Sequence, residues 1–223
     1  MCVCMLLHMI AKLRFSFHSQ YFFVAHVFFT MFLFSCMRVF VFLFCSSVFM
    51  LMNNLSAQPW TSAQLATANT ASHIEELAGI EQEAIMYLNL ARLYPKDFVR
   101  LELTADPNDI NVTSLIRTLK TLKPKKALVW DAALQTTAEC LVNEQGPTKQ
   151  VGHKRKKCAG DYFAECISYG MESGKDIILQ LLIDYGNPGY GHREICLSGE
   201  YHTVGVSDGG HGLNGRMAVM DFK

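Results

Sequence analysis

The carboxy-terminal segments YHTVGVS (residues 201–207), DGGHGLNG (208–215) and RMAVMDF (216–222) decide the fold class of this chain. The first and last segments are rich in β-branched, aromatic and other apolar residues and have the length of strands. The glycines between them predict a turn. The chain is therefore expected to end in two strands joined by a glycine-rich connection.

Helical patterns precede this strand pair. Apolar residues recur at helical spacing from Ile80 to Ala91, and a capping-box match at residues 72–75 and the Pro at position 95 predict where this helix starts and stops. Further helices are predicted over residues 110–122, after a candidate cap at Asp131, and after a capping box at residues 173–176. The last of these is expected to place Tyr185 in the core. Because the predicted helices come early in the chain and the strands come late, we expect an α+β domain with helices packed on a short, mainly antiparallel sheet.

The first 57 residues predict a signal peptide region. Residues 37–57 contain the three parts of a secretory signal: the basic Arg38, an apolar run, and a polar exit of small residues ending at Ala57. We predict cleavage after Ala57 and export to the extracellular space or the periplasm, and we expect residues 1–36 not to be translated. The alternative is a retained anchor, because about 20 apolar residues suffice to cross a bilayer.

The remaining chain has a mildly acidic composition. Three of the 20 Lys and Arg residues lie in the first 57 positions, so 17 basic residues stand against 20 acidic ones. This balance gives no general attraction to nucleic acid or to anionic membranes.

Residues 58–74, rich in Thr, Ser, Ala and Gln, predict a linker, and residues 75–223 predict one domain. Four cysteines of this region permit either two disulfides, in three connectivities, or buried thiols: Cys140, Cys158, Cys166 and Cys196.

Two Gly-His pairs and one glutamate form the candidate site. His153 follows Gly152, His192 follows Gly191, and Glu165 lies between them in the sequence AECISY. Imidazole nitrogens and carboxylate oxygens are ordinary ligands of zinc, and they can also transfer protons. In the simpler alternative, Glu165 accepts backbone N–H bonds and braces the loops.

Other motifs point to less specialised roles. The basic run at residues 153–157 favours a solvated loop over a phosphate or glycan site, and His211 favours a turn histidine over a cleft residue. The sequence has no Gly-x-Ser-x-Gly elbow, phosphate loop, dinucleotide fingerprint or His-Glu-x-x-His helix. The usual motifs of lipases, kinases, dehydrogenases and zinc proteases are therefore missing.

Taken in order, these segments resemble the CAP superfamily, which covers cysteine-rich secretory proteins, antigen 5 and plant pathogenesis-related class 1 proteins. The chain looks most like its secreted bacterial branch, and the resemblance covers residues 75–223. It is carried by short matches in the family's order: Asn89 with Arg92, then residues 129–131, 152–153, 164–170, 191–193, 204–206 and 219–222.

The resemblance implies a three-layer α-β-α sandwich with a central cleft lined by two His and two acidic residues. His153 and His192 match the two His, which bind a divalent metal in some members. Glu165 matches the Glu of a Gly-Glu-Asn turn, although Ala164 and Cys166 replace its neighbours. Asp184 is the nearest substitute for the fourth, acidic member, and Glu172 is a weaker one.

We therefore expect a secreted, non-enzymatic binding domain, acting as a monomer or weak oligomer. Its cleft would hold zinc or another divalent cation at His153 and His192, with a possible contribution from Glu165 and Asp184, and a lipid, glycan or peptide ligand. The alternative is a hydrolase of peptide or phosphodiester bonds that uses metal-bound water or Glu165 as general base. That alternative loses most of its support if Asp184 points away from the His pair.

Overall fold

A four-stranded mixed sheet forms the centre of the computed structural model, which describes residues 59–223. The strands are β1 Val129–Trp130, β2 Ala164–Tyr169, β3 Thr203–His211 and β4 Gly215–Phe222. They lie in the order β1-β3-β4-β2, so that β2 is an edge strand. Strand β1 runs parallel to β3, whereas β3 with β4 and β4 with β2 pair antiparallel.

The sheet lies between two helical layers, which confirms the predicted α+β fold. Side chains of Cys166, Val206 and Met220 pack into one core with the helices Gly79–Leu93 and Gly174–Ile183, whereas Ile167 and Val219 pack on the other face against the helix Ala132–Gln145. Within the described part of the chain the helices are α1 Ser62–Ala68, α2 Gly79–Leu93, α3 Pro95–Glu102, α4 Ile110–Thr121, α5 Ala132–Gln145, α6 Gly174–Ile183 and α7 Gly191–Leu197.

Local capping fixes the ends of several helices where the sequence predicts them. The carboxylate of Asp131 accepts a hydrogen bond from the amide of Leu134 at the start of α5. The hydroxyl of Ser173 accepts one from the amide of Asp176 at the start of α6. These bonds satisfy amides that have no partner inside the helix.

Three local predictions are corrected. Helix α2 begins at Gly79 and not near Ser72, because the carboxylate of Glu81 accepts the amide of Ala78 and sets the first turn there. Pro95 does not only end α2; it is the first residue of α3, a position where its missing N–H costs nothing. Tyr185, expected in the core, is 59% exposed because α6 ends before it.

Part of the stretch expected to be a linker belongs to the folded domain. Helix α1 lies within residues 58–74, and Ala68 and Ala71 are fully buried. The side-chain amide of Asn89 in α2 donates to the carbonyl oxygens of Ala68 and Leu128, at 3.0 Å each. Small residues that resemble a linker in composition thus pack closely against α2.

One disulfide joins α5 to the loop that precedes β2. It links Cys140 to Cys158, whereas Cys166 and Cys196 are buried thiols, so the four cysteines adopt both of the predicted states. Among residues 59–223, no helix is long and apolar enough to cross a membrane. The predicted signal at residues 37–57 and the untranslated start at 1–36 lie outside the described residues.

Candidate functional site: a cleft at the sheet edge

The first half of the candidate site pairs His153 with Glu165. His153 lies in the loop between α5 and β2, and Glu165 is the second residue of β2. The Nδ1 atom of His153 lies 2.8 Å from Oε1 of Glu165. The carboxylate is buried, with 3% of its side chain exposed, whereas the imidazole is 56% exposed. The buried carboxylate of Glu165 therefore holds the imidazole of His153, and more than half of that side chain is exposed to solvent.

The second half pairs His192 with Asp184. Asp184 ends α6 in a left-handed conformation, with φ of 60°. Its Oδ1 atom lies 2.8 Å from Nδ1 of His192, and its Oδ2 atom accepts the backbone amide of His192 at 3.0 Å. Asp184 is 3% exposed. A single buried carboxylate thus fixes both the backbone and the ring of His192.

The two His–carboxylate pairs lie next to each other at the edge of the sheet, with the imidazole planes inclined by 36°. The imidazole centroids lie 6.3 Å apart. His192 and Asp184 line a cavity of about 420 Å³, a volume in the range of small-molecule sites, whereas His153 and Glu165 lie beside it and are not among its lining residues. The structure therefore brings His153, Glu165, His192 and Asp184 together. Glu172, the weaker candidate, has a 79% exposed side chain near Arg216.

The carboxylates determine which imidazole nitrogens are available. A carboxylate accepts hydrogen bonds, so Glu165 and Asp184 hold the proton on Nδ1 of each ring. Within residues 59–223, no group forms a hydrogen bond with either Nε2 atom. In the neutral rings both Nε2 lone pairs are therefore free to bind a ligand or a metal ion, as in the carboxylate–histidine–zinc arrangement.

The hydrogen bond to Glu165 also raises the pKa of His153 above the ordinary imidazole value. Burial and the nearby Arg155 act in the opposite direction but do not cancel it. The imidazolium form of His153 therefore persists to higher pH than in an isolated residue.

A buried ion network under Glu165 was missed by the sequence analysis. Arg155 contacts Oε2 of Glu165 and lies 2.9 Å from Oδ2 of Asp221. It also donates to the backbone carbonyl of Thr137 at 2.7 Å. Asp221 pairs with Glu165 directly across β2 and β4, and its burial raises its pKa to about 6. Arg155 thus offsets the charges of two adjacent carboxylates.

This network corrects the prediction that residues 153–157 form a wholly solvated loop. The three lysines of the run are exposed, but the Arg155 side chain is only 7% exposed. One sequence signal could have indicated the pairing. Asp221 is an acidic residue within an otherwise apolar strand, and a buried charge needs a partner.

His211 braces the loop that carries His153. Its Nε2 atom lies 2.8 Å from the carbonyl oxygen of Gln150, and its Nδ1 atom accepts the amide of Asn214. Its ring packs edge-on against Tyr169, whose hydroxyl accepts the amide of Gly152. The prediction of a turn histidine outside the cleft is confirmed, and the residue has a positioning role in addition.

No preformed metal centre is found within residues 59–223. Residues 59–223 contain no group of three or more His, Cys, Asp or Glu side chains arranged to hold an ion. The two Nε2 atoms alone would form an incomplete coordination shell, because zinc sites with an open position ordinarily have three protein ligands. Further ligands would have to come from water or from a bound molecule.

Comparisons with known proteins do not assign this cleft to a family. No family model matches the chain, and no curated protein matches its sequence.

Proposed function

We propose that this chain is a secreted, CAP-like binding domain whose cleft holds a ligand, with a divalent cation bound between His153 and His192. The observation that carries this proposal is the pair of His–carboxylate contacts, each 2.8 Å long, whose imidazole centroids lie 6.3 Å apart. The CAP resemblance implies two His and two acidic residues in a cleft. The 2.8 Å contact between Asp184 and His192 supports Asp184 as the fourth member.

The hydrogen bonding of the carboxylates favours binding over catalysis. Both oxygens of Glu165 are engaged, one by His153 and one by Arg155. Both oxygens of Asp184 are engaged as well, by the ring and the backbone amide of His192. A general base must accept a proton from the attacking water, and the contacts that Glu165 and Asp184 already make compete with that role. These carboxylates are better suited to orienting the imidazoles.

The cavity suits a ligand with both polar and apolar parts. Ile167 and Leu181 supply apolar surface, whereas Tyr169, Gln180 and Asn187 supply polar groups. A lipid headgroup with part of its chain, a short glycan or a peptide would meet these requirements. Such a ligand could also complete the coordination shell of a bound cation.

Export is part of this proposal and has its own test. The Cys140–Cys158 disulfide fits an oxidising compartment such as the extracellular space or the periplasm. Cleavage after Ala57 predicts that the exported protein begins at Gln58. Amino-terminal sequencing that finds another start would contradict the predicted signal.

Calorimetric titration with zinc tests the cation site. We expect binding by the purified protein and a loss of at least about tenfold in affinity for His153→Ala and for His192→Ala, since removal of either imidazole halves the protein ligand set. The exposed His73, remote in sequence, provides the matched control in His73→Ala. Equal titrations for the wild type and both cleft variants would contradict the metal site.

Hydrolysis remains the second candidate because Asp184 points to His192 and not away from it. Chromogenic peptide and phosphodiester substrates, offered to the zinc-loaded protein, would test it. Turnover that is lost in His192→Ala would favour a metal-dependent hydrolase over the binding domain. Absence of turnover in a protein that binds zinc would favour binding alone.

A further inference from the structure

Building on the proposed binding role of the cleft, we infer that its ligand is an extended peptide, which adds a strand to the free edge of β2 at Ile167. Strand β2 is the last strand of the sheet, so one of its two edges has no neighbouring strand. Such an edge offers backbone donors and acceptors to which a peptide can pair. One ligand class is thereby selected from the three that the cleft could hold.

Pairing with β4 determines which residues of β2 point to the free edge. The register is continuous over the whole strand, and the amide of Gly170, directly after it, donates to the carbonyl oxygen of Arg216 on β4 at 3.0 Å. In an antiparallel pair, the backbone groups of successive residues point alternately to the partner strand and away from it. Tyr169, Ile167 and Glu165 therefore turn their amide and carbonyl groups away from β4.

The side chain of Gln180 shows how this edge accepts an amide group. Its Oε1 atom accepts the amide of Tyr169 at 3.1 Å, and its Nε2 atom donates to the carbonyl oxygen of the same residue at 3.0 Å. One side-chain amide thus makes both bonds that a residue of a neighbouring strand would make. Gln180 occupies the edge at Tyr169 and leaves the preceding positions open.

Ile167 has the same backbone orientation as Tyr169 but no such partner. Within residues 59–223, no group at the free edge forms a hydrogen bond with the backbone of Ile167 or of Glu165. Ile167 and Tyr169 both line the cavity of about 420 Å³, whereas Ser168, between them, does not. Ile167 is 6% exposed, and buried backbone groups without a partner are rare because they cost free energy. The cavity therefore offers a donor and an acceptor that a bound peptide would satisfy.

The repeat of these backbone groups favours a peptide over a lipid or a glycan. A strand presents a donor and an acceptor at every second residue, and an extended peptide has the same repeat in its own backbone. An acyl chain has no group that could bond to Ile167, and a hydroxyl does not reproduce the paired donor and acceptor of an amide backbone. The apolar Leu181 and the exposed Tyr185 line the same cavity and are available to side chains of the peptide.

An N-methyl scan tests the pairing with peptides selected on the zinc-free protein from a displayed library of random heptapeptides. Each backbone amide of a selected peptide is methylated in turn, and its affinity is measured by calorimetry. We expect losses of at least about tenfold at alternate residues, whose amides face β2, and little change at the residues between them. Equal tolerance along the whole peptide, or a library that yields no binder, would overturn the inference.

Substitution of Ile167 supplies the matching readout on the protein. Ile167→Pro removes the amide donor but no bond to β4, since that amide faces the free edge, and edge strands tolerate Pro at such positions. Ile167→Val is the matched control, because it keeps the amide and most of the side chain. We expect Ile167→Pro, and not Ile167→Val, to lose peptide binding by at least about tenfold. Equal affinities in two folded variants would contradict strand addition, and if the Pro variant does not fold, the N-methyl scan decides alone.

Zinc titration of the same protein separates strand addition from the proposed cation site. Peptide binding without zinc binding would remove the cation from the proposed function and leave strand addition in place. Zinc binding that depends on His153 and His192, without binding of any peptide, would overturn strand addition and leave the cation site in place.

Discussion

At the scale of single residues, the cleft depends on two hydrogen bonds that select a tautomer. Glu165 and Asp184 each accept a hydrogen bond from Nδ1 of a histidine, at 2.8 Å in both cases. The Nε2 atoms, which form no hydrogen bond within residues 59–223, are then the nucleophilic ends of the rings. Arg155 and Asp221 affect His153 indirectly, because they fix the charge and position of Glu165.

Substitution of Glu165 by Gln should lower the pKa of His153. The wild-type carboxylate raises that pKa, first through its hydrogen bond and then through its charge, and Gln supplies no charge. Proton NMR of the His153 ring across a pH titration measures the change. Asp184→Asn is the control, and it should leave the His153 titration unchanged.

The same contact gives stability a defined pH dependence. Because the folded pKa of His153 is raised, its contribution is complete below the unfolded imidazole value, about 6.5, and is lost as the pH rises through the folded value. Urea denaturation across this window should show the decline in wild type and a smaller decline in Glu165→Gln. An unchanged profile would show that the contact does not form in solution.

At the scale of elements, α5 packs closely on the sheet because β3 has glycines on that face. A Cβ atom on Gly205 would lie 2.1 Å from the backbone nitrogen of Gln135 and 2.1 Å from the carbonyl carbon of Leu134. Both neighbours belong to the backbone of α5, so neither can rotate away. Strand β3 thus sets how near α5, and with it Thr137, lies to Asp221.

Gly205→Ala should therefore destabilise the protein by about 1–3 kcal/mol, the usual cost of overpacking. Urea denaturation measures this difference. Gly79→Ala is the matched control, because a Cβ atom at Gly79 meets nothing within 4 Å. Equal stability of the two variants would mean that α5 does not approach β3 as described.

The Cys140–Cys158 disulfide fastens the loop that carries His153 and Arg155 to α5. It joins residues separated by 18 positions, and closure of a loop of this size is worth about 3 kcal/mol. We expect the Cys140→Ser, Cys158→Ser double variant to lose about 2–4 kcal/mol of unfolding free energy. Chemical denaturation checks the value, and a loss below about 1 kcal/mol would contradict a stabilising role for this bond.

At the scale of the whole molecule, the cleft combines groups from both sides of the sheet. Glu165 lies on the α5 face beside Asp221, whereas His192 and Asp184 come from the helices of the opposite layer. They meet only because β2 is the last strand of the sheet. Gln180 closes this edge by bonding to both the amide and the carbonyl of Tyr169.

The features of the fold that could be predicted from the sequence are those that depend on local patterns. Asp131 and Ser173 mark helix starts through their own side chains, and the two apolar runs near the carboxy terminus predict β3 and β4. The Arg155–Asp221 contact joins residues 66 positions apart, so no local pattern contains it. Helix α7 was also missed, since it has only seven residues and no side-chain cap.

Nitrogen NMR of the two histidine rings during a zinc titration tests the shared cleft most directly. We predict that the Nε2 resonances of His153 and His192 shift together, at the same zinc equivalents, while both Nδ1 atoms keep their protons. Two rings that bind one ion must respond at one stoichiometry. Shifts of one ring only, or of the two rings at different zinc ratios, would contradict a single site between them.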